Sequence, residues 1–218
     1  MPEPLRAKAA AHLVDDIRRR KNHLSTGFLG TPYLCHVLSD HGYTEVAYDL
    51  LLQKSYPSWL YPVTMGATTI WERWDGQRPD STFQDVGMNS FNHYAYGAIG
   101  DWMYRVVAGI ELLEPGYRKI RIQPQPDARL GYAKASLDSP YGRIASGWSL
   151  MAGELVLNVA IPPNTTAVIE LPNANLSAVE ADGGPLLSHS DFSNVQQVNE
   201  AVTFEAVPGA YEFRYRYE

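Results

Sequence analysis

The sequence predicts an α + β protein of two domains, a helical part followed by an antiparallel β-sandwich. Up to about residue 112 the apolar residues recur at helical spacing, which indicates helices that bury one face. From residue 113 onward the pattern becomes alternation within short runs separated by Pro, Gly or Asn, which is typical of strands. The composition, 45% hydrophobic and 19% charged, indicates a globular chain and excludes a disordered one.

The helical part is expected to contain three helices, a long loop and then the longest helix. Pro4 suits a first helical turn, and the apolar stripe that follows it predicts a helix there. Two more helices are predicted to start at Thr31 and Thr44. Residues 54–89 are rich in Pro, Gly and Asn and predict a structured loop. The broad apolar face between Ser90 and Gly109 predicts the longest helix.

The remaining chain is expected to fold as a sandwich of short strands. Seven alternating runs are found, at 117–123, 131–138, 143–150, 154–161, 165–171, 201–207 and 210–217. Runs of this length separated by turn residues favour an antiparallel sandwich. The predicted domains are therefore residues 1–112 and residues 113–218.

Charge and composition exclude several classes of partner. The net charge of −6 argues against a nucleic-acid partner, because nucleic acid is a polyanion and binds proteins through a basic surface. No apolar stretch reaches the length of a membrane span, and the N-terminus lacks the pattern of an export signal. We therefore expect a soluble protein with no membrane partner. Its compartment is left open between cytoplasm and periplasm.

Neither a metal nor another cofactor is expected. The single cysteine, Cys35, rules out an internal disulfide and a cysteine-based zinc site, and its apolar neighbours predict a buried thiol. The six histidines show no ligand spacing with acidic partners.

The segment from Tyr56 to Tyr104 combines the features of a sugar-binding site. It holds eleven of the 25 aromatic residues, interleaved with acidic residues and a histidine. Aromatic faces stack on the apolar face of a pyranose ring, and its hydroxyls need polar partners. The alternative is packing, and for Tyr96, Trp102 and Tyr104 we expect a place in the core.

Glu72 is the candidate for proton transfer within this segment. It lies between Trp71 and Trp74 in the string GATTIWERWDG (66–76), where burial could tune a carboxylate. From local composition alone, an ion pair with the adjacent Arg73 is the more common role for such a residue.

Three strings resemble one family closely. STGFLGTPYL (25–34), YPSWLYPVTMGATTIWERWDG (56–76) and SFNHYAYGAIGDWMYRVVAGI (90–110) are similar to the C-terminal part of bacterial α-L-rhamnosidases, glycoside hydrolase family 78. The resemblance implies part of an α/α toroid of the six-hairpin glycosidase type, followed by a C-terminal β-sandwich. It also implies hydrolysis of terminal α-L-rhamnosyl linkages with inversion, on a rhamnose-containing glycoside.

The resemblance also implies roles for individual residues. Glu72 matches the general base of the family, and His93 matches a residue that contacts the bound sugar. For four aromatic residues, lining the pocket and wedging the loop against the helices both remain open: Trp59, Tyr61, Trp71 and Trp74.

The chain is expected to be the C-terminal portion of a longer enzyme. Inversion needs two carboxyl groups about 6.5–9.5 Å apart, and only Glu72 is identified. The family's general acid precedes this region, and nothing in residues 1–60 resembles its segment, although Asp75, Asp85 and Asp101 remain possible supporting carboxylates. We therefore expect little or no activity from the isolated chain, and self-association through an exposed helical face. The alternative is a non-catalytic carbohydrate-binding or structural sandwich, for which Trp148 is the only tryptophan available.

Overall fold

The computed structural model describes residues 2–217, and these residues form helices first and strands afterwards. The chain divides into two compact units between Trp102 and Met103. We call them the helical unit and the strand unit. The domain boundary predicted between residues 112 and 113 stays a prediction.

The helical unit contains three helices of ordinary length and two short ones. They are α1 (Glu3–Arg19), α2 (Thr31–Asp40), α3 (Thr44–Leu52), α4 (Leu60–Thr64) and α5 (Ile99–Trp102). The predicted stripe of α1 is buried at Ala10, Val14 and Ile17, as a one-sided helix requires. Cys35 of α2 is buried as predicted, and desolvation raises the pKa of its thiol to about 12.

The predicted long helix from Ser90 to Gly109 is wrong. The chain is irregular up to Tyr94 and then forms three short segments of different pitch. They are a 3₁₀ turn at Ala95–Ala98, the α-helical turn α5 at Ile99–Trp102, and a π-helical turn at Met103–Val107. Tyr96 and Trp102 are buried as expected, but Tyr104 is 44% exposed, so its predicted place in the core is wrong.

The strand unit contains two sheets. Its strands are β1 (Ile110–Leu112), β2 (Lys119–Ile122), β3 (Tyr132–Ser139), β4 (Gly142–Met151), β5 (Glu154–Ile161), β6 (Thr166–Pro172), β7 (Glu180–Ala181), β8 (Gly184–Pro185), β9 (Phe192–Val198), β10 (Ala201–Ala206) and β11 (Gly209–Arg216). One sheet has the order β1-β2-β6-β10-β9, and the other has the order β3-β4-β5-β11-β7-β8. All pairings are antiparallel except that of β2 with β6, which is parallel.

The two sheets bury their inner faces against each other. Phe204 on β10 and Phe213 on β11 have ring centroids 5.3 Å apart, and Phe192 on β9 contacts both rings. Both β10 and β11 alternate buried and partly exposed residues, which is the pattern of a sandwich with one covered face per sheet. The predicted sandwich is thus present, with β11 forming one of its covered strands.

Candidate active site

Glu72 is held by a reciprocal pair of hydrogen bonds with Ser90. The backbone N–H of Glu72 donates to the Ser90 carbonyl oxygen at 2.9 Å, and the backbone N–H of Ser90 donates to Oε2 of Glu72 at 2.8 Å. A backbone donor to a carboxylate forms a charge-assisted bond, which fixes the side-chain direction. Within residues 2–217, Oε1 of Glu72 has no hydrogen-bond partner. One oxygen is therefore anchored, and the other is available to a water molecule.

Arg73 does not pair with Glu72. Its Nε lies 3.5 Å from Oδ1 of Asp75, and Oδ2 of Asp75 accepts a hydrogen bond from Gln84 at 2.6 Å. The ion pair that local composition favours for Glu72 is thus formed by the next carboxylate along the chain. Glu72 is partly buried without a cation at hydrogen-bond distance among the described residues.

Further hydrogen bonds hold the Glu72 segment beside the His93 segment. The backbone N–H of His93 donates to the Ile70 carbonyl oxygen at 2.8 Å, and the Thr69 hydroxyl donates to the Phe91 carbonyl oxygen. Residues 69–72 and 90–93 therefore run side by side in opposite directions. We call these two stretches the paired segments. Glu72 and His93 therefore lie on two neighbouring irregular segments that are hydrogen-bonded to each other.

The imidazole of His93 stacks with two aromatic rings. Phe28 stacks on it with a centroid separation of 4.9 Å and an interplanar angle of 14°, and Tyr94 stacks at 5.6 Å and 4°. The backbone N–H of Ala95 donates to Nδ1 of His93 at 3.4 Å. An accepting Nδ1 assigns the proton of the neutral ring to Nε2, so Nε2 is the donor that faces away from this contact.

The stacking continues from Phe28 through Tyr96 to Trp74. Phe28 and Tyr96 have centroids 5.0 Å apart, and Tyr96 and Trp74 stack at 3.6 Å and 20°. Trp59 meets Trp74 edge to face at 5.5 Å and donates its indole N–H to the Tyr96 carbonyl oxygen at 3.0 Å. We call these six rings the aromatic cluster: Tyr94, His93, Phe28, Tyr96, Trp74 and Trp59.

Three of the four candidate pocket aromatics are buried. The exposed fractions of Trp59, Tyr61 and Trp71 are 8%, 6% and 7%. Tyr61 donates its hydroxyl to the Gln77 carbonyl oxygen at 2.8 Å, and burial with the nearby charge of Asp75 raises its pKa. Trp71 packs edge to face on Phe91 at 5.0 Å. These contacts hold the loop in place. Trp74, two residues after Glu72, is partly exposed.

The supporting carboxylates considered from sequence have other partners. Asp85 accepts a hydrogen bond from the Gly87 backbone N–H at 2.7 Å and so caps a short turn. Asp101 lies 2.8 Å from Nε2 of His36. Together with Asp75, they form local contacts within the helical unit.

Comparison with known proteins decides the family. Residues 1–107 match the family model described as the bacterial α-L-rhamnosidase 6 hairpin glycosidase domain, and residues 109–184 match the bacterial α-L-rhamnosidase C-terminal domain. The chain belongs to the bacterial α-L-rhamnosidase family. The expected fold, part of a six-hairpin helical domain followed by a sandwich with antiparallel sheets, is confirmed.

Three α-L-rhamnosidases illustrate the similarity. The chain is 42% identical to one from Formosa agariphila over 217 residues. This alignment covers 100% of the chain and 23% of that relative. A crystal structure of the Streptomyces avermitilis α-L-rhamnosidase complexed with L-rhamnose matches 99% of the chain and 20% of that protein, with 42% identity and a TM-score of 0.90. The native Aspergillus terreus enzyme matches 96% of the chain and 22% of its own length, with 34% identity and a TM-score of 0.82. The chain thus spans about a fifth of these rhamnosidases.

One residue of the candidate site was missed from sequence. Phe28 lies in the first family-like string, far from Glu72 and His93 along the chain, and only the fold shows that its ring covers His93. The signal available was that string itself, which placed Phe28 in a region similar to the family. Trp148, the candidate for sugar binding on the sandwich, is 2% exposed and donates its indole N–H to the Val107 carbonyl oxygen at 2.7 Å. It cannot serve as a stacking platform.

The described residues contain neither a grouped set of metal ligands nor a membrane-spanning helix. In the part of the chain that the structure describes, no three His, Cys, Asp or Glu residues are grouped so that they could hold a metal ion. Over the same residues, no helix is both long enough and apolar enough to cross a membrane.

Proposed function

We propose that this chain supplies the Glu72 part of the sugar site of an inverting α-L-rhamnosidase. The enzyme would release terminal α-L-rhamnose from a rhamnose-containing glycoside. The observation that carries the proposal is the anchoring of Glu72, whose Oε2 accepts the Ser90 N–H while Oε1 has no partner among the described residues. The match of residues 1–107 to the rhamnosidase six-hairpin domain supports it.

Glu72 acts in this proposal as the general base. A water molecule bound to Oε1 loses its proton to the carboxylate as its oxygen attacks the anomeric carbon. The Ser90 N–H keeps Oε2 in place, so the carboxylate stays oriented toward the water during the transfer. The bond between the anomeric carbon and the glycosidic oxygen breaks on the opposite face, and a general acid protonates the leaving oxygen there.

The general acid comes from a part of the rhamnosidase outside residues 1–218. It must lie about 6.5–9.5 Å from Glu72 to leave room for the water. Asp85 caps a turn and Asp101 pairs with His36, which argues against either as the acid. Asp75 already forms an ion pair with Arg73 and accepts a hydrogen bond from Gln84.

His93 and Trp74 bind the sugar in this proposal. The Nε2–H of His93 donates to a sugar hydroxyl, and the stacked rings of Phe28 and Tyr94 hold the imidazole in one plane. Trp74 offers its partly exposed indole to the apolar face of the sugar. Trp59, Tyr61 and Trp71 support the site from the interior.

The test replaces the matching segment of the Streptomyces avermitilis α-L-rhamnosidase with this chain. We expect the chimera to hydrolyse 4-nitrophenyl α-L-rhamnoside and Glu72→Gln to lower kcat about 10²- to 10⁴-fold, the usual contribution of general base catalysis. Proton NMR of the first product should show the β-anomer, as inversion requires. The chain alone should turn over far more slowly, because the acid is absent.

Glu114→Gln is the matched control. Glu114 is a solvent-facing carboxylate that pairs with Arg118 in the strand unit, so its removal should leave kcat unchanged. L-Rhamnose binding, measured by calorimetry, confirms that the Glu72→Gln chimera is folded. An undiminished kcat in that chimera would refute the role of Glu72, and a first product of α configuration would refute inversion.

A further inference from the structure

The strand unit carries a broad depression on its six-stranded sheet. Its volume is about 870 Å³, within the range of small-molecule sites. Tyr104 and Tyr132 form its aromatic walls, and their exposed fractions are 44% and 65%. The Tyr104 hydroxyl donates to the Ser136 carbonyl oxygen at 3.4 Å, which holds this wall against strand β3.

The floor of the depression is flat because its central residues are small. Gly147 on β4 lies between Lys134 on β3 and Asn158 on β5 in the strand register. Ala145 follows two residues earlier along β4, on the same face. A Cβ atom on Gly147 would come within 3.1 Å of the Lys134 Cβ, so a larger residue would displace the lysine. A flat floor beside exposed tyrosine rings suits the ring of a sugar.

The charge in this depression is positive. Lys134 and Arg143 line it, and its lining includes no carboxylate. Arg143 donates to the Ser136 hydroxyl at 2.7 Å, and Lys134 has no ion pair within residues 2–217. Glu212, the register partner of Asn158 on β11, lies 3.2 Å from Arg214. Asp138, the register partner of Arg143, lies on the same face of the sheet but outside the lining. Lys134 is therefore the cation without an ion partner among residues 2–217, in a chain whose net charge is −6.

We propose that this depression binds a negatively charged oligosaccharide, one that carries a carboxylate on a sugar ring. Tyr132 and Tyr104 flank the rings, and Asn158 and Ser149 meet hydroxyl groups. Lys134 and Arg143 bind the carboxylate, for which charge-assisted contacts are the strong ones. The site would let an enzyme of this family hold an acidic glycan on its strand unit. It uses residues of the strand unit alone, so it stands or falls independently of the proposed hydrolysis.

The test is calorimetric titration of the full 218-residue chain with trigalacturonate. We expect saturable binding that weakens as salt is added. The double variant Lys134→Ala/Arg143→Ala should bind at least about tenfold more weakly, since it loses two charged hydrogen-bond donors. Tyr132→Ala should bind about three- to tenfold more weakly, since it loses a stacking surface. Circular dichroism establishes that each variant is folded.

Matched controls lie outside the depression. Tyr141→Ala removes an exposed tyrosine of the same unit, and Lys8→Ala removes an exposed lysine of the helical unit. Both variants should bind trigalacturonate as the parent chain does. Maltotriose tests the need for charge, and citrate tests the need for a sugar.

Four results would overturn the proposal. They are no saturable binding of trigalacturonate by the folded chain, equal affinity for maltotriose, equal affinity for citrate, and unchanged binding in the double variant. A dimer that dissociates in Tyr132→Ala, with no saccharide bound, would assign this face to a second copy of the chain.

Discussion

Phe28 fixes the plane of the His93 imidazole. The two rings are nearly parallel at 4.9 Å, and the Tyr94 ring is also nearly parallel to the imidazole, at 5.6 Å. Each such contact contributes about 0.5–1.5 kcal/mol and restricts ring rotation. A donor held in one plane loses less conformational entropy when a ligand binds. Phe28 is therefore a positioning residue for His93.

Replacing Phe28 by Ala should weaken substrate binding more than it slows the chemical step. In the rhamnosidase chimera we expect Phe28→Ala to raise KM about tenfold, which corresponds to losing about 1.4 kcal/mol of binding. Phe28→Tyr keeps a stacking ring and should leave KM near the parent value. The ¹⁵N spectrum of His93 should show the Nε2–H tautomer in the parent chain. A lower kcat with unchanged KM in Phe28→Ala would contradict this role.

The sequence predicted Glu72 and His93 from strings that resemble the family, but it could not show what holds them. The partner of Glu72 is the backbone of Ser90, and backbone contacts leave no trace in residue type. Phe28 escaped notice because its contact with His93 spans 65 residues of chain. The sequence also could not decide whether Trp59, Tyr61 and Trp71 are buried, because an aromatic residue suits both a pocket wall and a packed interior.

At the scale of the element, the region from Ser90 to Gly109 shows why apolar spacing can mislead. The carbonyl oxygens of Ser90 and Phe91, which in a helix would accept from N–H groups four residues later, accept instead from the Glu72 N–H and the Thr69 hydroxyl. Gly97 and Gly100 follow, and glycine weakens a regular helix. The segment consequently breaks into turns of different pitch.

Alternation predicted the strands better than spacing predicted that helix. The prediction for 154–161 coincides with β5, and the other six runs overlap β2, β3, β4, β6, β10 and β11. Strand β9 was missed because its residues after Phe192 are mostly polar and exposed, as on an edge strand, and so give no alternation. The parallel pairing of β2 with β6 could not be predicted from the sequence either, because the alternation of apolar and polar residues carries no information on strand direction.

Gly109, just before β1, occupies a position that only glycine fits. Its φ is +78°, and an added Cβ would lie 2.1 Å from the backbone nitrogen of Pro124. We expect Gly109→Ala to lower the free energy of unfolding by about 2–5 kcal/mol, from left-handed strain and the clash. Gly183 has a φ of +80° with nothing within 4 Å, so Gly183→Ala should cost only about 1–2 kcal/mol. Urea unfolding measures both, and equal losses would refute the clash.

At the scale of the whole molecule, the helical unit exposes large apolar side chains. Leu29 and Val86 are 91% and 96% exposed, and Tyr33 and Tyr94 are also exposed. We expect the isolated chain to self-associate, since apolar surface of this kind favours association. Light scattering should show mass rising with concentration, and less so for Leu29→Ser/Tyr33→Ser. Leu187→Ser in the strand unit is the control, and a monodisperse parent monomer would refute the expectation.

Acid should destabilise the chain through its paired carboxylates. The hydrogen bond from Arg129 holds the pKa of Asp127 below its ordinary value of 3.8, and Lys119 lowers that of Glu205 below 4.5. A lowered native pKa contributes stability above the ordinary value, and that contribution is lost as pH falls through the native one. The free energy of unfolding should therefore fall from pH 5 toward pH 3. Asp127→Asn should show a shallower fall by urea titration, and an identical fall would contradict the role of this pair.

The paired segments close a loop at its base. Residues 73–89 leave from Glu72 and return to Ser90, where the two backbones are hydrogen-bonded to each other. The geometry of Glu72 and His93 is thus insulated from changes farther out along the excursion, whose residues from Arg78 to Ser81 are exposed. Lengthening a closed loop costs little entropy. Residues 78–81 can therefore accept substitutions and insertions, while the hydrogen bonds at the base keep the spacing between Glu72 and His93 unchanged.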